Sequence, residues 1–193
     1  MKDKTSSRDN ILRTASLLFR KQGYHATGLN QITSESGAPR GSLYYYFPGG
    51  KEELAAEAIK MTGETVKAFI KSAISRSPDP AEAFQVYLRT MADGFEEYIM
   101  EDYEDIPIVS FASETWSFSE TLRQACDQVY EDWRLVYEEK LIQSGFSKEK
   151  AKTLSLAIQA MIEGAYVLSV TKKNGRPLSA AAEHIQTMIK EGK

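Results

Sequence analysis

Apolar positions recur every three or four residues along most of the chain, and alternation with a period of two is almost absent, so the sequence predicts helices and no sheet. In the opening stretch Ile11, Ala15, Leu18, Phe19 and Gln22 fall at i, i+4, i+7, i+8 and i+11, which gives one apolar face until Gly23 ends the helix. Ser6 and Ser7 stand where an N-cap is wanted. A helix of barely two turns follows, with Leu29, Ile32 and Thr33 on one side and Gly37 at its end. Pro39 then takes a position that a first helical turn tolerates, and Leu43 and Phe47 share a face four residues apart. A long helix, a short helix, a tight turn and another short helix have the order of a helix-turn-helix.

After Gly49-Gly50 a connecting helix over about residues 51–76 places Leu54, Ala58, Met61, Thr65, Ala68 and Phe69 near one side. Ser-Pro-Asp-Pro at 77–80 is the clearest break. Beyond it Phe84, Tyr87, Leu88, Met91, Phe95 and Tyr98 repeat with helical spacing, as do Leu122, Cys126, Val129, Tyr130, Trp133 and Tyr137. Helices over about 148–172 and 179–190 flank Asn-Gly-Arg-Pro. The expected fold is all-α, with about nine helices: a head of residues 1–50 and a helical body of residues 51–193.

Charge divides along the same line. The 193 residues carry a net charge of −3, but residues 1–51 hold eight Lys and Arg against three Asp and Glu, and residues 52–193 hold 16 against 24. A basic head on an acidic body suits a polyanionic partner. No run of about 18 apolar residues is seen and the N-terminus lacks a signal-like apolar stretch, so a cytoplasmic protein without a membrane partner is expected. With Cys126 alone there is no disulfide or Cys-based metal cluster, and His25 and His184 lack ligand spacing; no metal or cofactor is expected. Phe-Pro-Gly-Gly-Lys lacks the pattern of a phosphate loop, and Glu101, Asp102, Glu104 and Asp105 read as a solvated turn. No cluster of nucleophile, base and metal ligands marks an enzyme.

The segment Gly-Ala-Pro-Arg-Gly-Ser-Leu-Tyr-Tyr-Tyr-Phe at 37–47 holds the candidate chemistry. A short helix fits the major groove with its N-terminal residues at base edges. Arg40 matches the two acceptors of a guanine, and Gly41 lets the helix approach DNA closely. Ser42, Tyr44 and Tyr45 can donate hydroxyls to phosphates, whereas Tyr46, about 100° further round the helix, turns toward the head's own core. Lys51 adds charge to a helix N-terminus that already attracts anions, and Thr27 is placed to cap the second helix and touch a phosphate. A helical protein-interaction adaptor would account for the C-terminal two-thirds but not for this basic head.

These residues resemble the DNA-binding head of TetR-family transcriptional repressors. The match runs without a gap from Gly23 to Phe47 and includes Gly23-Tyr24, Thr27, Ile32, Gly37, Arg40-Gly41-Ser42-Leu43-Tyr44 and Phe47. Gly28, Ser36 and Pro39 depart from the common pattern, and the spacing from Phe47 to Lys51 is one residue longer. That longer spacing is similar to the LmrA/YxaF-like branch, whose implied ligands are flavonoids such as quercetin and related aromatics. The resemblance implies a homodimeric repressor on a palindromic operator, with half-sites about 34–36 Å apart or wider, released by a small aromatic effector bound in the C-terminal helices.

Two patterns in the body fit those implied roles. Leu154, Ile158, Met161, Ile162, Ala165 and Leu168, beside the small residues Ala157, Ala160 and Gly164, form a stripe suited to packing across a two-fold axis, joined by Ile185, Met188 and Ile189. An internal core stripe explains the same spacing. Phe95, Tyr98, Phe111, Trp116, Phe118, Tyr130, Trp133 and Tyr137, with Gln159 and Glu163 for polar contact, are the candidate effector site. Ordinary aromatic packing is the alternative for each ring.

Overall fold

The computed structural model describes residues 7–97 and 108–192, apart from the side chains of Arg40, Glu96 and Glu97. Among the described residues the chain forms nine helices and no strand. They are α1 (Ser7–Ala26), α2 (Leu29–Ser36), α3 (Arg40–Tyr46), α4 (Gly50–Ile74), α5 (Pro80–Glu97), α6 (Ile108–Thr115), α7 (Glu120–Gln143), α8 (Lys148–Lys172) and α9 (Arg176–Glu191). Local chemistry sets several of their ends. Gly23, at φ 80° and ψ 172°, breaks the helical path near the end of α1. Gly37, at φ 65°, closes α2 in the left-handed conformation and donates its N–H to the Ser34 carbonyl. The last helix starts three residues earlier than its apolar pattern suggests, with Pro177 in its first turn. Ser6 and the acidic run at 101–105 lie outside the described residues.

The helices group into two compact units that do not follow a single cut in the sequence. One takes the described residues of Met1–Glu64 and Glu104–Tyr130, the other those of Thr65–Tyr103 and Glu131–Lys193, so α4 and α7 each contribute to both. In the first unit α1 packs on α2, α3 and α6. Its core includes Ile11, Phe19, Ile32, Leu43, Phe47, Leu54, Phe111 and Leu122, all fully or almost fully buried. At Gly63 a Cβ would lie 2.5 Å from Val129 Cγ2, so glycine permits α4 and α7 to meet at that point.

In the second unit α9 packs on α5 and α8. Phe84, Tyr87 and Leu88 of α5 and Leu178, Ala182, Ile185 and Ile189 of α9 are buried. Buried Arg134 bonds to Glu131 and Glu138 on its own helix and donates to Ser155 Oγ of α8 at 3.1 Å, so its charge is compensated. Gly175 is at φ −79°, where any residue is comfortable, yet its Cβ would stand 2.3 Å from the Ala92 carbonyl oxygen. Gly175→Ala is therefore a purely steric test of how closely α9 enters beside α5. We expect it to cost about 1–3 kcal/mol, measured by urea unfolding; unchanged stability would contradict that close approach.

Helix α8 departs from two expectations. Leu154, Ile158, Ile162 and Ala165 are buried within the chain, as are Ile185 and Ile189 of α9, so these six are core residues and not an exposed interface. Met161 and Met188 are half-buried, and of the expected interface residues Leu168 alone is exposed. The opposite side of α8 carries the open surface: Leu156 (60% exposed), Ala160, Gly164, Val167 (41%) and Leu168 (51%) recur at helical spacing. Because both sides are apolar, α8 is also long and apolar enough to cross a membrane by length and composition, contrary to the expectation from the sequence. Only 33% of its most apolar stretch is buried.

Candidate nucleic-acid interface and effector site

Helix α3 is anchored by two side chains and offers others outward. Leu43 and Phe47 are completely buried against the head, while Tyr44 is 55% exposed and Tyr45 79%. Tyr46 is half-buried, its ring 5.0 Å from that of Tyr45 at 77°. The helix thus presents two phenols to solvent, against the usual preference of aromatic rings for burial, and such side chains call for an external partner. Gly41 is exposed, and beyond its chain neighbours and its own helix backbone a Cβ placed on it would meet nothing within 4 Å among the described residues, so no packing contact there requires glycine. A glycine inside a helix costs about 1 kcal/mol relative to alanine, and close approach of a second molecule would offset this. Ser42 is half-buried. Arg40 opens the helix, and its side chain lies outside the described part.

Thr27 behaves differently from expectation. It is 1% exposed, and its hydroxyl donates to the Gly23 carbonyl at 2.7 Å, leaving Gly28 as the N-cap of α2 without a side-chain hydrogen bond. At this broken end of α1 the threonine hydroxyl gives the Gly23 carbonyl a hydrogen-bond partner. Its role is to fasten the α1–α2 turn.

Lys51 enters from the first turn of α4. Its ammonium lies 4.3 Å above the Tyr24 ring and donates to the His25 carbonyl at 3.4 Å. Burial lowers its pKa, partly countered by the Glu114 carboxylate. Glu114, on α6, accepts hydrogen bonds from the backbone N–H groups of Tyr24 (2.9 Å) and His25 (2.8 Å). Nothing local in the sequence marks it, because its partners are about 90 residues away.

The expected aromatic effector residues are divided between the two compact units. Phe111 belongs to the first unit, where it packs edge-on against Phe19 at 5.6 Å and Tyr24 at 5.9 Å. It is therefore part of the head's core, and the exposed Trp116 and half-buried Tyr130 fall in the same unit. Exposed Phe118 lies 4.5 Å from the His25 ring. Tyr98 lies outside the described residues. Cys126, also in this unit, is buried, and burial pushes its thiol up to about 11, which leaves it protonated and unreactive at neutral pH.

Phe95, Trp133, Tyr137, Gln159 and Glu163 fall in the second unit. There the buried Tyr137 hydroxyl sits 3.5 Å from that of Tyr87, with the Phe84 ring 5.4 Å from the Tyr137 ring. Burial raises the Tyr137 pKa well above that of a free phenol, and Tyr87 and the Glu163 carboxylate raise it further. The phenol thus keeps its proton at neutral pH. Gln159 is buried, Glu163 half-buried, and Phe95 meets Tyr166 edge-on at 5.8 Å. Tyr87 and Tyr166 were absent from the expected set; Tyr87 lies on a helical apolar stripe that spacing alone assigns to the core.

A buried anchor of Leu43 and Phe47 beneath exposed tyrosines, on the second helix of a helix-turn-helix, defines a DNA-binding protein of the all-α class. Residues 11–58 match the model of bacterial regulatory proteins of the tetR family, and residues 80–184 match that of the LmrA/YxaF-like transcriptional regulator C-terminal domain. The HTH-type transcriptional regulator YxaF of Bacillus subtilis (strain 168) is 46% identical over 99% of both chains. The HTH-type transcriptional regulator LmrA of the same organism is 47% identical over 95% of this chain and 97% of its own. Among solved structures, the reduced form of E. coli NemR superposes with a TM-score of 0.80 at 18% identity, covering 94% of this chain and 96% of that one. The chain belongs to the TetR family of DNA-binding transcriptional regulators and carries an LmrA/YxaF-like C-terminal domain.

Proposed function

We propose that the chain is a ligand-released repressor that binds a palindromic operator as a homodimer. The observation that carries this reading is the outward display of Tyr44 and Tyr45 on a helix locked by Leu43 and Phe47. Arg40 and Gly41 stand at the end of α3 that enters the major groove, and Ser42, Tyr44, Tyr45 and Lys51 supply contacts to phosphates. A second copy covers the open side of α8 around Leu156, Gly164 and Leu168, which gives that apolar surface an occupant other than lipid. The effector is a flat aromatic molecule, of the flavonoid type, held in the second unit. Phe95, Trp133 and Tyr166 offer ring surface, and Tyr87, Tyr137, Gln159 and Glu163 offer polar groups. Such a ligand releases DNA only by binding better to the form of the dimer that does not fit the operator. A repressor of this kind acts where the DNA is, in the cytoplasm.

Titration of the purified protein against promoter DNA of its own and neighbouring genes, at fixed salt with and without quercetin, tests this. Tight specific binding relieved by quercetin is the expected result. Specific binding indifferent to quercetin would remove the flavonoid from the reading, and binding to none of these promoters would put any operator elsewhere.

A further inference from the structure

The break at Gly23 turns the N–H groups of Tyr24 and His25 away from the helical ladder of α1. Glu114 Oε2 and Oε1 receive them at 2.9 and 2.8 Å. The His25 bond is exposed, and water could satisfy that N–H equally well. What the carboxylate adds is a fixed place for the turn. A charge-assisted pair of bonds restrains both distance and direction, and a Cβ on Gly23 would come within 3.0 Å of the same carboxylate. Thr27 holds the Gly23 carbonyl from the other side of this turn.

The corner between α6 and α7 makes a second hold a few residues later. Ser119 Oγ donates to Glu52 Oε1 at 2.5 Å and accepts from the Leu122 N–H at 3.1 Å. Residues 114–119 therefore grip both the exit of α1 and the entry of α4, the two flanks between which α2 and α3 lie in the sequence. Phe111 and Phe118 lie against Tyr24, which also neighbours the Phe19 and His25 rings and carries the Lys51 ammonium over its own ring.

We propose that Glu114 is a positioning residue for operator reading: from α6 it holds the end of α1, so that α2 and α3 meet DNA in one orientation. It touches no DNA itself and rests on the DNA-reading role of α3. Orientation matters most where base edges must be met, and least where phosphates attract charge at any register. Loss of Glu114 therefore separates specific from non-specific binding, which a general loss of folding does not.

The full-length chain, E114A and E114Q would be titrated against two duplexes at one salt concentration: one enriched by the unmodified chain from random-sequence DNA, and a scrambled duplex of the same composition. For E114A we expect affinity for the enriched duplex to fall about tenfold or more, while the scrambled duplex is bound as well or better, since a negative charge near Lys51 is gone. E114Q, with one carbonyl oxygen for one of the two N–H groups, should fall between. A preference ratio equal to the parent's would overturn the proposal, and so would equal losses on both duplexes. If melting curves show that E114A does not fold, E114Q is judged by the same two outcomes. An unmodified chain that enriches no sequence overturns the DNA-reading role and this proposal together; the other outcomes bear on Glu114 alone.

Discussion

Replacing Arg40 by alanine should leave a protein that still binds DNA but discriminates poorly between sequences. Arg40 is the first residue of α3, the end that meets base edges when such a helix lies in the major groove. Its guanidinium can bond both acceptors of one guanine, an arrangement worth about 1–3 kcal/mol of discrimination against the wrong base. That is a loss of roughly 5- to 150-fold in preference at one position of each half-site. The fold should tolerate the change, because Leu43 and Phe47 provide the anchor and both remain buried. Lys51→Ala is the natural contrast. An ammonium that meets phosphates acts through charge alone, so on this reading binding to every sequence should weaken and the salt slope should drop by about one. If Arg40→Ala prefers one duplex over its scrambled version as strongly as the parent does, another side chain reads the base.

If the proposed dimer packs through α8, Gly164→Glu should convert it to a monomer and reduce operator affinity by about a hundredfold or more, because the second head loses the high effective concentration that linkage gives it. The prediction is clean because there is room: among the described residues nothing beyond its chain neighbours and its own helix backbone lies within 4 Å of a Cβ at Gly164, and the residue is exposed in the middle of α8. Glutamate is a better helix former than glycine, so the monomer's thermal stability should not fall for local reasons. In the proposed dimer the new carboxylate, beside Leu168 and Ala160, would instead meet an apolar partner surface. Sedimentation equilibrium gives the mass and a parallel titration the affinity. A Gly164→Glu protein that remains dimeric would place the interface elsewhere.

The two predictions differ in how much of their basis could be read from the sequence. The helix-turn-helix was legible because its signals are local: Gly23 and Gly37 stop helices, Pro39 precedes one, and Leu43 and Phe47 lie one turn apart. Exposure of Tyr44 and Tyr45 followed from the same 3.6-residue geometry once those two anchors were assigned. Thr27 was misassigned as a cap because a threonine before a short helix has the right composition for that role. Its hydroxyl is engaged by the Gly23 carbonyl, at the point where the helical path of α1 breaks.

The aromatic set shows the same limit at longer range. The high aromatic content of residues 84–137 grouped Phe111 and Trp116 with Trp133 and Tyr137, and composition of that kind does not name any ring's neighbour. Phe111 instead packs with Phe19 and Tyr24, 92 and 87 residues away in sequence, and Glu114 is found only through its bonds to that same turn. The tyrosines at 87 and 137 come together by a contact across 50 residues.

By itself the sequence determined the helical class, the order of elements, the positions of their glycine and proline boundaries and the residues of the DNA-reading helix, all of which depend on spacings within a turn or two. Tertiary structure alone decided which side of α8 is core. Leu154, Ile158 and Ile162 on one side and Leu156, Val167 and Leu168 on the other are equally apolar, so transfer from water favours burial of either. The choice falls to shape: α9 supplies Ala181, Ala182 and Ile185 as a complementary surface, and α5 receives α9 closely where Gly175 meets Ala92. Packing is a property of both surfaces at once, and neither helix carries it alone.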